Sequence, residues 1–252
     1  MKARTLLFIF LGLVAFAIIL AVTMPASFIA SQVNSKLPGK VAVDSAQGNM
    51  FKGEARVQVA PGVNPVVIER VQWNFKPERL ANGQIAFDTT ASAGGFEAKM
   101  EIARDGSRWH VRDFEAHGDA SSFASFFPIL TAYRFTGPVT ASAVSLDGDD
   151  REIYGDVRIE WRDATTGLSD VRPVGSYRAD WHSEGSSGRL SVSTLGGPLR
   201  IAGSGATRMP SAVDFSGEAR AEPQVGPALD PLLNAIGPPT AGGGRAIEIR
   251  LR

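Results

Sequence analysis

The chain of 252 residues contains no cysteine. It therefore forms no disulfide, carries no thiolate nucleophile and builds no cysteine-ligated zinc site. It also lacks a charge of either sign in excess, with 26 Lys and Arg against 26 Asp and Glu. A neutral chain has no long-range field to collect nucleic acid, and no local Lys/Arg cluster supplies one, so no nucleic-acid partner is expected. Histidine is scarce. His110, His117 and His182 have no second histidine at ligand spacing, and HExxH is absent, so no metal is expected. The run Asp147-Gly148-Asp149-Asp150 opens like a calcium loop but lacks the later acidic ligand, which makes it a solvated turn. Neither a G-x-S-x-G elbow nor a phosphate-cradling G-x-x-x-x-G-K-[ST] loop occurs, and the Ser183-Glu184-Gly185-Ser186-Ser187-Gly188 stretch suits a hairpin. These absences leave no catalytic, cofactor-binding or metal-binding residue to name, and the chain does not read as an enzyme.

What the sequence does hold begins with one apolar run, LLFIFLGLVAFAIILAV over residues 6–22. A helix needs roughly 20 residues to cross a hydrocarbon core of about 30 Å, and residues 5–24 supply that length. Thirteen of those positions are Leu, Ile, Val or Phe. Their transfer adds up to about −4 to −8 kcal/mol, enough to insert the segment. Lys2 and Arg4 precede it, so the N-terminus is expected in the cytoplasm and everything after Pro25 across the membrane. The length of the run and the absence of a small-x-small exit favour an uncleaved anchor over a cleaved signal. A short amphipathic lead-in, with Phe28, Ile29 and Val33 near one helical face, ends at Pro38-Gly39.

Beyond Gly39 the apolar period changes from helical to two. Val41 and Val43 start it, and residues 51–60 place Ala55, Val57 and Val59 on one side and charges on the other. Similar alternation recurs at 66–75, 84–91, 96–103, 108–116, 138–146, 153–161, 176–182, 189–195, 199–203, 213–221 and 246–251, with Gly or Pro in or beside most gaps. About a dozen strands at this spacing predict a mainly β fold of antiparallel meanders, a curved antiparallel sheet; the pattern leaves open whether it forms an open groove, a sandwich or a closed barrel. Two stretches predict short helices. Asp119 can cap residues 119–132, where Phe123, Phe126, Phe127 and Leu130 have helical spacing, and 225–236 carries Leu229, Leu232, Leu233 and Ile236, with Asp230-Pro231 as a candidate start. The expected organisation is a cytoplasmic tip and anchor at 1–24, a lead-in at 25–39 and a β-rich periplasmic domain at 40–252. A faint repeat, Val71-Gln72-Trp73 against Ile159-Glu160-Trp161, suggests two similar halves, 40–135 and 136–252.

Four stretches stand out within this pattern. The first two are VDSAQGNMFKGEARV with Gly48, Phe51 and Gly53, then VQWNFKPERLANGQIAFD with Trp73, Pro77 and Leu80. Later comes GRLSVSTLGGPLRIAGSG with Leu195, Gly196 and Gly203, and finally GRAIEIRLR. In this order, and across nearly the whole chain, they resemble the type II secretion system protein N family (general secretion pathway protein N). Phe51 stands where that family commonly has Trp. All of these, and Trp161, are structural residue types: Gly48 and Gly53 would bracket a tight bend under Phe51, and Trp73 would anchor a strand ahead of a one-turn helix at Pro77. The resemblance implies a non-enzymatic, single-pass inner-membrane component that assists export of folded proteins from the bacterial periplasm. Its partners would be the other inner-membrane components of the secretion machinery. A second reading is a lipid-binding or lipid-transfer β-groove anchored in the same membrane. The two part on the interior: a dry packed core fits a scaffold, an apolar trough open to solvent fits lipid.

Overall fold

The period-two alternation after Gly39 becomes one antiparallel sheet of thirteen strands whose spatial order is the order of the chain. The computed structural model describes residues 24–59, 66–123, 132–208 and 212–251. Its strands are β1 Val41–Gly48, β2 Lys52–Val59, β3 Val66–Phe75, β4 Ile85–Ala93, β5 Phe96–Asp105, β6 Arg108–Asp119 and β7 Pro138–Gly148. They continue as β8 Ile153–Ala164, β9 Gly175–Gly185, β10 Ser187–Gly196, β11 Leu199–Arg208, β12 Ala212–Ala221 and β13 Arg245–Leu251. The sheet is open, with β1 and β13 at its edges. Among the described residues two α-helices accompany it, α1 Ala26–Lys36 and α2 Gly226–Ile236, with two 3-10 turns at Pro77–Asn82 and Ala120–Phe123. The apolar run at 6–22 lies outside the described residues, and no described helix is long and apolar enough to cross a membrane.

Of the helix expected at 119–132, the structure shows the 3-10 turn Ala120–Phe123, and residues 124–131 lie outside the described part. Asp119 does act as a cap there, its carboxylate accepting from the Ser121 amide at 2.9 Å and the Gly137 amide at 2.8 Å. The helix expected at 225–236 forms as α2, but it starts at Gly226-Pro227 rather than at Asp230-Pro231, and Pro231 lies inside it. Pairing between β6 and β7 runs from Trp109↔Gly148 to Asp119↔Pro138, so the sheet continues unbroken past residue 135.

Register turns the alternation into rows. One apolar row crosses from Ala55 in β2 through Val71, Ala91, Ala98, Ala116, Ala141, Ile159, Ala179, Val192, Gly203 and Gly217 to Ile247 in β13. Every member is Ala, Val, Ile or Gly. On the other face a polar row touches every strand: Gln47, Glu54, Gln72, Thr90, Lys99, Glu115, Ser142, Arg158, Asp180, Ser191, Ser204, Ser216 and Glu248. Keeping the faces apart over so many strands needs β-bulges where the twist and the pattern disagree. Ser45, Asp113 and Asp163, all at positive φ near +50°, lie at three such register shifts.

The apolar face is covered at both ends. At the C-terminal end α2 lays Leu229, Leu232 and Leu233 on Leu199, Ala219, Tyr177, Val174 and Ala164, all buried, and this is the main core. The Ser169 hydroxyl ties the preceding loop to α2 by donating to the Ala228 carbonyl at 2.9 Å. At the N-terminal end α1 buries Ala26 and Ala30. Between these covers Ile102 and Ile159 remain about two-fifths exposed on the apolar face.

Candidate functional site

Two features of the apolar face are built from residues rather than from strand pattern alone. The first is a trough of about 330 Å³ between α1 and the sheet, lined by Ala26, Ala30, Val33, Val43, Met50, Val57, Val71, Trp73, Phe87 and Ile102 among others, with Thr89 its one polar side chain. It exists because α1 runs antiparallel to β1 and is pinned at its C-terminal half by a single residue. The Asn34 side chain accepts from the Val43 amide at 2.7 Å and donates to the Val43 carbonyl at 3.0 Å. An asparagine thus takes the place of a neighbouring strand at that edge, and the short side chains of Ala26 and Ala30 leave room beneath the helix.

The second feature involves all four tryptophans. Each indole lies across a glycine of the adjacent strand or its turn. A Cβ on Gly53 would fall 2.6 Å from the Trp73 ring, on Gly148 2.7 Å from Trp109, on Gly188 2.8 Å from Trp181, and on Gly137 3.1 Å from Trp161. The glycine removes the side chain that would hold the indole off the sheet, and the aromatic ring covers backbone that glycine leaves bare. Three of these indoles also donate: Trp73 to the Asn49 carbonyl at 3.2 Å, Trp161 to the Thr136 carbonyl at 3.2 Å and Trp181 to the Thr207 hydroxyl at 2.9 Å.

The sequence-derived motif residues fall into three groups. Gly48, Phe51, Gly53 and Trp73 come together at the β1–β2 hairpin. Gly48 has φ +87°, and a Cβ there would collide with the Lys52 carbonyl. Phe51 packs edge-on against Phe75 at 5.0 Å, which contacts Phe87 at 5.5 Å. Pro77 opens its 3-10 turn, and Leu80 within it is 53 % exposed. Trp161 belongs to the other end, edge-on to Phe135 at 5.4 Å and tilted against Tyr177 at 6.0 Å. Leu195 and Gly196 end β10 and are exposed, and the positive φ of the β10–β11 turn is supplied by Gly197 at +101°. Gly203 sits inside β11, where its missing side chain admits the Phe215 ring.

Sequence reasoning passed over several residues that the fold uses. Asn49 organises the β1–β2 turn, its side-chain oxygen accepting from the Phe51 and Lys52 amides at 2.9 Å. Glu101 is a buried carboxylate on the polar face, held by Lys76 at 2.7 Å and Arg79 at 2.8 Å. Burial pushes its pKa up, but the hydrogen bonds from Lys76 and Arg79 outweigh that and hold it below the ordinary glutamate value. An Asn before a hairpin is a readable turn signal; a charge in a strand pattern gives no hint that a 3-10 turn will bring two cations to it.

Two further polar clusters tie β6, β7 and the β7–β8 turn. His110 lies between Asp105, at 2.9 Å, and Asp147, which Arg112 also meets at 2.6 Å. Desolvation raises the Asp147 pKa, while Arg112 and His110 pull it down further than burial lifts it. The Asp149 carboxylate accepts from the Arg151 and Glu152 amides at 2.8 and 3.0 Å and closes the β7–β8 turn. Among the described residues no group of three His, Asp or Glu side chains is placed to hold a metal ion.

The site is thus an open meander with one apolar and one polar face and a trough under an N-terminal helix. The family model for the type II secretion system, protein N, matches residues 39–248, which takes in nearly the whole sheet. The chain belongs to that family, a component of secretion machinery rather than a known family of enzymes. No protein of curated function and no solved structure matches it.

Proposed function

We propose that the protein is a non-enzymatic component of type II secretion, held in the inner membrane by residues 5–24, that presents its sheet in the periplasm to other inner-membrane parts of the machine. The observation that carries this is the family match across residues 39–248. It is supported by an apolar N-terminal run long enough to span a bilayer and preceded by Lys2 and Arg4. The polar row then supplies an extended wet surface of mixed charged, amide and hydroxyl side chains for protein partners. A deletion strain tests it: folded enzymes normally found in the medium accumulate in the periplasm and return to the medium on complementation. An unchanged medium overturns the proposal.

A second reading, that the apolar face takes an acyl chain, is favoured by the uncharged lining of the trough beneath α1. Ala30→Trp would fill that trough from the helix side. Phospholipid co-extracted with the wild-type protein and lost from Ala30→Trp supports this reading, and equal lipid in both removes it.

A further inference from the structure

The two edges of the sheet are treated differently. On β1 the Asn34 side chain occupies the backbone groups of Val43. Among the described residues, the outer edge of β13 is met only at its start. The Ala246 amide donates outward to the Pro238 carbonyl at 2.9 Å, and Pro239 bridges Arg245. Successive residues in a strand turn their backbone groups to opposite edges. Glu248 and Arg250 therefore face outward as Ala246 does, and no described residue pairs with them there. Their neighbour Ile249 is 46 % exposed on the apolar face.

We propose that this edge pairs with the β13 of a second copy of the chain, antiparallel and centred on Ile249. A strand added in that register places Glu248 opposite Arg250 of the other copy and Arg250 opposite its Glu248. Both pairs exchange their backbone hydrogen bonds, because both residues face outward. Their side chains lie on the polar face, so the sequence Glu-Ile-Arg is charge-complementary to itself about a twofold axis. Ile249 meets Ile249 on the apolar face, and the apolar and polar rows both continue into the second sheet. The pairs that Arg250 now makes, with Asp214 at 3.8 Å and Glu248 at 3.6 Å, are long and exposed on both sides, so they are cheaply exchanged. The stretch at residues 237–239 sets the limit of the contact, since it already covers Arg245 and Ala246. A second copy is the occupant chosen because unrelated strands would satisfy the backbone but not the reciprocal charges.

The absence of cysteine makes the test direct. In a non-hydrogen-bonded antiparallel pair the two Cα atoms lie roughly 4.5 Å apart, within disulfide range. Ile249→Cys in the full chain, under mild oxidation in membranes, should give a covalent homodimer at least tenfold faster than Val144→Cys, an 82 % exposed mid-sheet control. Adding Glu248→Arg or Arg250→Glu to Ile249→Cys should slow capture about tenfold, and combining both should restore it. Thermal melts of each variant confirm that it is folded. Capture no faster than the control, insensitivity to the charge changes, or a disulfide formed with a different protein would each overturn the proposal.

Discussion

Each indole of the protein rests on a glycine, so the stability of a tryptophan here depends on what a neighbouring strand omits. Gly53→Val should destabilise the protein as Trp73→Ala does, since a side chain at Gly53 would reach both the ring, at 2.6 Å, and the Gln47 carbonyl, at 2.5 Å. Trp73 is half-buried, so its truncation should cost about 3 kcal/mol, the lower end of the range for a buried tryptophan. In the double variant the two losses should add only in part, because the ring that the introduced valine would strike is gone while the Gln47 carbonyl remains. Urea unfolding of the four proteins measures this. Glu101 gives a pH signature at the same scale. Its pKa is depressed in the folded state, so its contribution is present above the unfolded glutamate value of about 4.3 and is lost as pH falls through the folded value. Glu101→Gln should lower stability at pH 7 by about 1–3 kcal/mol and flatten the acid limb of the stability curve. His182 has the opposite sign: hydrogen bonds from its ring to Asp156 and Glu184 raise its pKa, so what it adds is lost as pH rises through that value.

Among the elements, α2 has the clearest energetic role. Leu229 is fully buried at its centre, and Leu229→Ala should cost roughly 2–5 kcal/mol, read as a lowered denaturation midpoint with an unchanged slope. The leucine spacing at 225–236 made this helix readable from sequence, and the period-two pattern made each strand readable, since a half-buried strand must alternate. What stayed hidden depends on contacts distant in the chain. Nothing near Asn34 announces that it will stand in for a strand at Val43. Nothing near Ser45, Asp113 or Asp163 announces a left-handed bulge, because a bulge is defined by the partner's register. Leu195, Gly196 and Gly203 group as one structural motif in sequence, yet the positive φ of the turn falls to Gly197, and Leu195 and Gly196 are exposed. The candidate site shows the same division. Phe51, Gly53 and Trp73 could be named as a packing group, while the trough above them required the placement of α1. Asn34→Ala should therefore loosen α1 and expose Val43 to hydrogen exchange, with little change in the distant α2 core.

For the molecule as a whole, the feature with the longest reach is the identity of chain order and sheet order. Adjacent strands lie about 4.8 Å apart, so twelve intervals give the sheet a contour of about 58 Å from β1 to β13. Position in the sequence is thus a distance from the N-terminal helix, and the protein is graduated like a ruler. Removing one central hairpin would shorten that ruler by about 10 Å while keeping up-down direction and face, because two strands leave together. If the role in secretion depends on spanning a gap, activity should fall with length rather than with the identity of the hairpin removed. Shortened variants that fold equally well, compared by how much enzyme reaches the medium, would read off that span.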